Sequence, residues 1–153
     1  WKLLSEKGFG YWYDDAAMMA RVRSATRIPV TAGQSEITCH AIRRLVDARA
    51  VDFVNYDVSE GGGVTDWRRA AAICASAGVE MGHHEESQIS QQLLAAVPHG
   101  TYAECFGDPD RDPVWQTMWT NRPKPKDGWI GVSRGPGFDI ELDEDMLKRY
   151  RVN

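Results

Sequence analysis

The sequence predicts an α/β fold in which strands alternate with helices and the strands run parallel. Two observations lead to this. Apolar, β-branched or aromatic runs begin near residues 9, 28, 51, 79 and 101, and amphipathic stretches of helical period fill the intervals between them. The resulting units of roughly 19 to 28 residues have the length of a βα repeat. Parallel strands joined by right-handed crossovers bring all their carboxyl ends to one edge of the sheet. In barrels and open sheets alike, that edge is where sites are built.

Each element has its own justification. Leu3 and Leu4 with Lys2, Glu6 and Lys7 fit the last turns of an amphipathic helix that Gly8 and Gly10 stop. A chain that opens inside an element reads as a fragment or a processed chain. Residues 9–13 (Phe-Gly-Tyr-Trp-Tyr) form an aromatic run of strand type, and Asp15 is placed to cap a helix over 16–26. Residues 28–32 are a buried strand with Pro29 near its start, where a missing N–H does least harm. A polar turn over 33–36 leads into a helix over 37–48 with Ile42, Leu45 and Val46 on one face. The pattern then repeats: a strand over 51–56, a glycine-rich loop over 57–63, a helix over 64–77 ending at Gly78, and a strand over 79–82. A helix over 87–97 stops at Pro98-His99-Gly100, and a last strand covers 101–106. Residues 107–134 are rich in Pro, Asp, Lys and Trp with little periodicity, a turn forms at Pro136-Gly137-Phe138, and a short capped helix covers 143–150.

Bulk properties exclude several classes. A chain of 153 residues can bury one core, and 42% hydrophobic with 26% charged residues is the composition of a soluble domain. A net charge of -4 gives no electrostatic footprint for nucleic acid. No run approaches the ~18 apolar residues of a membrane span, and no signal peptide is visible. Cys39, Cys74 and Cys105 are odd in number and in no metal-binding spacing, as expected of reduced thiols in the cytoplasm.

The chemistry-bearing residues gather at the predicted carboxyl edge: Asp14, the turn with Gln34 and Glu36, Asp57, the pair His83 and His84, and Glu104. Asp57 and His84 leave adjacent strands. A carboxylate beside an imidazole fixes its tautomer and stabilises the imidazolium, which suits acid–base catalysis; an incidental surface pair is the alternative. Oxygen donors from neighbouring strand ends, Asp14 with Gln34 or Glu36, suit Mg²⁺, although Asp14, Asp15 and Ser35 are also placed to cap helices. The Gly61-Gly62-Gly63 run reads as a turn rather than a phosphate cradle, because Asp57 and Glu60 repel an anion and no GxGxxG or P-loop spacing is present. Zinc is disfavoured at His83-His84-Glu85-Glu86, since adjacent residues on an extended chain point opposite ways. Trp115, Trp119 and Trp129 are expected as core or interface anchors.

In their order, the motifs resemble the C-terminal half of the mandelate racemase and muconate lactonizing enzymes of the enolase superfamily, from about Phe9 to Val152. The carrying pieces are Trp12-Tyr13-Asp14-Asp15, the stretch 28–36 (Ile-Pro-Val-Thr-Ala-Gly-Gln-Ser-Glu), Asp57 with Gly61-Gly62-Gly63-Val64-Thr65, and 78–84 (Gly-Val-Glu-Met-Gly-His-His). Leu93-Leu94-Ala95-Ala96, Tyr102-Ala103-Glu104, Pro136-Gly137-Phe138 and Glu141-Leu142-Asp143 complete the series. The resemblance implies that residues 1–106 are the C-terminal part of a (β/α) barrel, about five βα units. Residues 107–153 would be an irregular extension that packs against a capping domain absent from this chain. It further implies Mg²⁺ held by Asp14 and Gln34, with Glu36 as a substitute for Gln34, an Asp57–His84 dyad, and Glu104 as the acid that hydrogen-bonds an enediolate. The family usually carries Glu at both metal positions, so a neutral Gln34 would hold the ion more weakly. The implied activity is acid-sugar dehydration, with racemisation or epimerisation of a hydroxy acid on the same residues as the alternative. The implied partners are a small hydroxy acid or acid sugar and, in a complete protein, further copies of itself, with no nucleic acid or membrane. A non-catalytic truncated remnant, associating through exposed strand edges at 9–13, is the competing expectation.

Overall fold

The computed structural model describes residues 15–85, 87–108 and 110–152. The expected opening helix, the 9–13 strand, Asp14 and Glu86 lie outside the described residues.

Each parallel strand is followed by a helix, in the order α1 (Ala16–Ala25), β1 (Thr31–Ala32), α2 (Cys39–Asp47), β2 (Phe53–Val54), α3 (Gly63–Ala77), β3 (Glu80–His83), α4 (Ser87–Ala95) and β4 (Gly100–Ala103). The sheet order β1-β2-β3-β4 follows the sequence, and all three pairings are parallel. Neighbouring strands that are consecutive in sequence and joined by helices are what a (β/α) wall requires.

Local chemistry sets the boundaries. The Asp15 carboxylate accepts the Met18 N–H at 2.9 Å and starts α1. Gly78 takes a left-handed φ of 66° and closes α3, a conformation that glycine adopts without a Cβ penalty. The strands are shorter than the sequence predicts. Pro29 offers no N–H, so pairing of β1 begins after it, although Val30 still accepts the Asp52 N–H at 2.8 Å. α4 stops at Ala95 rather than at 97, because Val97 precedes Pro98 and the helical region is disfavoured there.

The core lies between the sheet and the helices α2 and α3. Val54, Tyr56 and Met81 point from the strands into a layer of Ile42 and Leu45 from α2 and Trp67, Ala70, Ala71 and Cys74 from α3. Trp67 is the largest of these buried side chains, and truncating a buried Trp to Ala costs about 3–5 kcal/mol. The opposite face of the sheet differs. Thr31, Phe53, Asn55, Gly82, Tyr102 and Glu104 line an open groove of about 430 Å³. There Phe53 and Tyr102 meet edge to face at 5.4 Å, and Tyr102 remains 65% exposed. One covered and one open face suits a wall segment rather than a closed barrel.

The segment after β4 contains a helix, α5 (Pro113–Thr117), where the sequence predicts irregular chain. Asp112 accepts the Trp115 N–H, and Pro113 opens the helix, a pairing of capping residue and first-turn proline that favours a start there. Trp119 and Leu142 form an antiparallel bridge, and Asp143 caps α6 (Glu144–Tyr150). Gln91 of α4 anchors this segment: its Oε1 accepts the Ser133 N–H at 2.8 Å and its Nε2 donates to Ser133 Oγ at 3.0 Å. Trp115 and Trp119 pack edge to face at 5.4 Å, whereas Trp129 is 81% exposed.

Candidate active site

β2 and β3 are paired only from Phe53 to Val54 and from Glu80 to Met81. Beyond that ladder both chains rise to the carboxyl edge, and alternation brings Asp57 and His84 to face each other. His84 Nδ1 donates to Asp57 Oδ2 at 2.8 Å. The other carboxylate oxygen, Oδ1, accepts from the Ser59 N–H at 2.7 Å and the Ser59 hydroxyl at 2.8 Å. Burial pushes the Asp57 carboxyl up, but hydrogen bonds from His84 and Ser59 outweigh it and hold the group below the usual carboxylate range. With Nδ1–H committed to Asp57, Nε2 is the atom of His84 left to exchange a proton with a bound molecule.

Glu104 closes the third side. Its Oε2 lies 3.5 Å from His84 Nε2 and 3.4 Å from the Glu85 N–H, with the side chain 39% exposed. Its backbone N–H is fixed by the His83 carbonyl at 3.0 Å. Asp57, His84 and Glu104, expected from three successive strand ends, thus meet at one mouth. Glu85 reaches outward to Arg111, Oε1 to Nη1 at 2.6 Å, and the Arg111 guanidinium lies 3.4 Å from the centre of the Phe106 ring.

His83 faces the other way. Its ring is fully buried beside Trp67, at 6.3 Å between ring centroids. Nε2 accepts the Val58 N–H at 3.2 Å, so Nδ1 carries the proton and donates to the His84 carbonyl at 2.7 Å. Burial pushes the His83 imidazole below its ordinary value, because the charged form would sit in a dry core.

The glycine run is a turn. A Cβ on Gly61 would collide with the Tyr56 hydroxyl, which accepts the Gly62 N–H at 3.1 Å and lies 3.1 Å from Asp66 Oδ2. Close approach to that tyrosine explains the small residue.

The expected metal residues are not all in view. Gln34 is exposed on the turn after β1, where its amide oxygen is available to a hard cation. Glu36 is buried and turns back toward α2, its Oε2 lying 3.8 Å from Arg44. Glu60, expected only as a charge that repels anions, joins the site: single ligand atoms of Asp57, Glu60 and His84 lie within 4.8 Å of one another. The signal for it was its place on the same loop, three residues after Asp57.

Residues 11–146 match the family described as Enolase C-terminal domain-like. The chain is 25% identical, over 92% of its length, to the D-galactonate dehydratase family member ManD of Chromohalobacter salexigens, of which it covers 37%. It is 27% identical over 92% of its length to a D-galactonate dehydratase family member of Streptomyces bingchenggensis, covering 36% of that protein. Among solved structures, it is similar to a mandelate racemase/muconate lactonizing enzyme from a marine actinobacterium in complex with magnesium. That similarity has a TM-score of 0.85 and 48% identity, over 93% of this chain and 40% of that one. The chain therefore spans a little over a third of the curated relatives it matches, and its parallel α/β sheet corresponds to the C-terminal half of their barrel. On the match over residues 11–146, the chain belongs to the enolase C-terminal domain-like family.

Proposed function

We propose that this chain is the C-terminal portion of a Mg²⁺-dependent acid-sugar dehydratase, a hydro-lyase. The observation that carries the reading is the Asp57–His84–Glu104 constellation: a histidine oriented by a buried carboxylate at 2.8 Å, with a second, half-exposed carboxyl on its free nitrogen. Dehydratase-family names among the relatives support the same chemistry.

A dehydratase removes the proton alpha to a carboxylate, which in this reading passes to a base other than His84 and outside the described residues, and expels the β-hydroxyl as water. His84 is the general acid for that hydroxyl: Nε2–H donates to the departing oxygen while Asp57 stabilises the imidazolium on the other side of the ring. Glu104, in its protonated form, hydrogen-bonds the charge that develops on the substrate oxygen. Ser59 keeps the Asp57 carboxylate ionised and aimed at Nδ1. Gln34, an exposed oxygen donor, would hold Mg²⁺, with Asp14 as the charged ligand that the resemblance implies. When bound, the ion supplies Lewis-acid charge beside the substrate carboxylate. Gln34 serves better than Glu36, whose carboxylate is engaged with Arg44.

In this reading residues 1–106 would belong to a barrel segment and residues 107–153 to an extension, for which exposed Trp129 is the natural contact with a capping domain. The complete protein would be a cytoplasmic homo-oligomer acting on a small hydroxylated acid. No helix among the described residues is long and apolar enough to cross a membrane, and Cys39, Cys74 and Cys105 are all free thiols.

The test is a screen of the full-length polypeptide with Mg²⁺ against six-carbon and five-carbon aldonic and aldaric acids, reading 2-keto acid formation. Product from any of them supports the reading. Inversion or exchange at the alpha carbon without 2-keto product replaces it with an epimerase, and a full-length protein inert in both assays removes it.

A further inference from the structure

His83 lies between the two strand exits that carry the dyad. The β2–β3 ladder ends at Val54 and Met81, and Asp57 and His84 stand three residues past each end (57 against 54, 84 against 81). β3 is held by β4 as far as His83, but between β2 and β3 no ladder bond fixes the register at which the 2.8 Å hydrogen bond forms. One buried ring spans that gap. His83 Nε2 holds the N–H of Val58, the residue after Asp57, and His83 Nδ1–H holds the carbonyl of His84 itself.

We propose that His83 is a positioning residue that splints the exits of β2 and β3, so that Asp57 and His84 meet with Nδ1 of His84 protonated and Nε2 turned to the substrate. The chemistry requires a residue with this pair of functions. The ring must accept on one side and donate on the other at a separation that bridges two backbones, and a neutral imidazole does both from the two nitrogens of one rigid ring. Burial against Trp67 removes competing water, so both bonds are maintained rather than exchanged with solvent. An apolar residue would fill the space and leave the Val58 N–H and the His84 carbonyl unpaired in the core. The catalytic part of this inference rests on His84 acting as the general acid; the splint itself does not.

The experiment uses the full-length polypeptide and two variants. His83→Phe keeps the volume and removes both bonds, while His83→Asn retains a donor near the Nδ1 position and loses the acceptor. Circular dichroism and thermal melting establish which variants are folded. Proton NMR of nitrogen-labelled protein reads the His84 Nδ1–H signal in its bond to Asp57, and steady-state kinetics with the acid sugar read kcat and KM. The wild type should show a slowly exchanging His84 Nδ1–H. His83→Phe should lose it and lower kcat by about 10- to 100-fold with KM within about twofold, because orientation of the acid is lost while binding is kept. His83→Asn should fall between. A folded variant with an unchanged His84 signal and wild-type kcat overturns the proposal; where the Phe variant does not fold, the Asn variant decides by the same readouts. A wild type inert on every acid sugar overturns the dehydratase reading alone, and the NMR comparison still decides on His83.

Discussion

Two carboxylates at opposite ends of β2 show how a partner decides what a charge can do. Asp52, at the amino end, is bound by the Arg23 guanidinium: Oδ1 accepts from Nε at 2.9 Å and lies 2.7 Å from Nη2, while Oδ2 accepts the Val30 N–H at 2.8 Å. Asp57, at the carboxyl end, is bound by an imidazole and a serine. Both are held below the ordinary carboxylate value. For Asp52 the hydrogen bond from Arg23 is the main cause; for Asp57 burial pushes up and the His84 and Ser59 bonds together push down further. A guanidinium never gives up its proton, so the Asp52 pair is a structural tie between α1, β1 and β2. An imidazole exchanges protons near neutrality, so the Asp57 pair can take part in a reaction.

Substitutions sharpen that contrast, and the largest effect should fall at the carboxyl end. His84→Asn in the full-length protein should lower dehydration by about 10³-fold or more, within the range of a lost general acid, with KM little changed, as measured by 2-keto acid formation. Asp57→Asn, which keeps the shape but removes the negative charge, should lower kcat by about 10²-fold. Glu104→Gln should cost about tenfold, since an amide still donates a hydrogen bond but is a poorer partner for developing charge. At the other end, Asp52→Asn should leave kcat unchanged and lower unfolding stability by about 1 kcal/mol in denaturant titration, as expected of a partly exposed ion pair that also satisfies one backbone N–H. A large activity loss in Asp52→Asn with unchanged stability would break the comparison.

The pH dependence of stability separates the same groups. His83 has its folded value depressed below 6.5. The unfolded chain therefore binds the proton first, so stability is fully present above about pH 6.5 and declines as pH falls toward the folded value. Asp52 and Asp57, depressed below 3.8, contribute stability that is present above about pH 4 and is lost only as pH falls further. Melting midpoints measured across pH should fall in two stages, and His83→Phe should lack the upper one.

Much of this arrangement is legible in the sequence. The order of strands and helices, the inward faces of Ile42 and Leu45, and the convergence of Asp57, His84 and Glu104 on one edge follow from periodicity and from parallel crossovers alone. Alternation along β3 also implies that His83 and His84 face opposite ways. What periodicity does not encode is which backbone group a buried ring will meet, so the Val58 N–H on His83 and the Glu60 carboxylate near the dyad were not foreseen. α5 is not predicted because its five residues show too little of a helical period, though Asp112-Pro113 carries a local start signal. Arg111 holding Glu85 joins segments 26 residues apart through an exposed ion pair, which composition does not predict.

The central claim is that His84, oriented by Asp57, protonates the leaving hydroxyl in a reaction that starts with loss of the alpha proton. The most direct measurement compares wild-type and His84→Asn full-length protein with Mg²⁺ and a substrate acid sugar in deuterium oxide, following alpha-carbon exchange and 2-keto product together. The account predicts that the variant retains alpha exchange and loses 2-keto acid. A variant that dehydrates at the wild-type rate would contradict it.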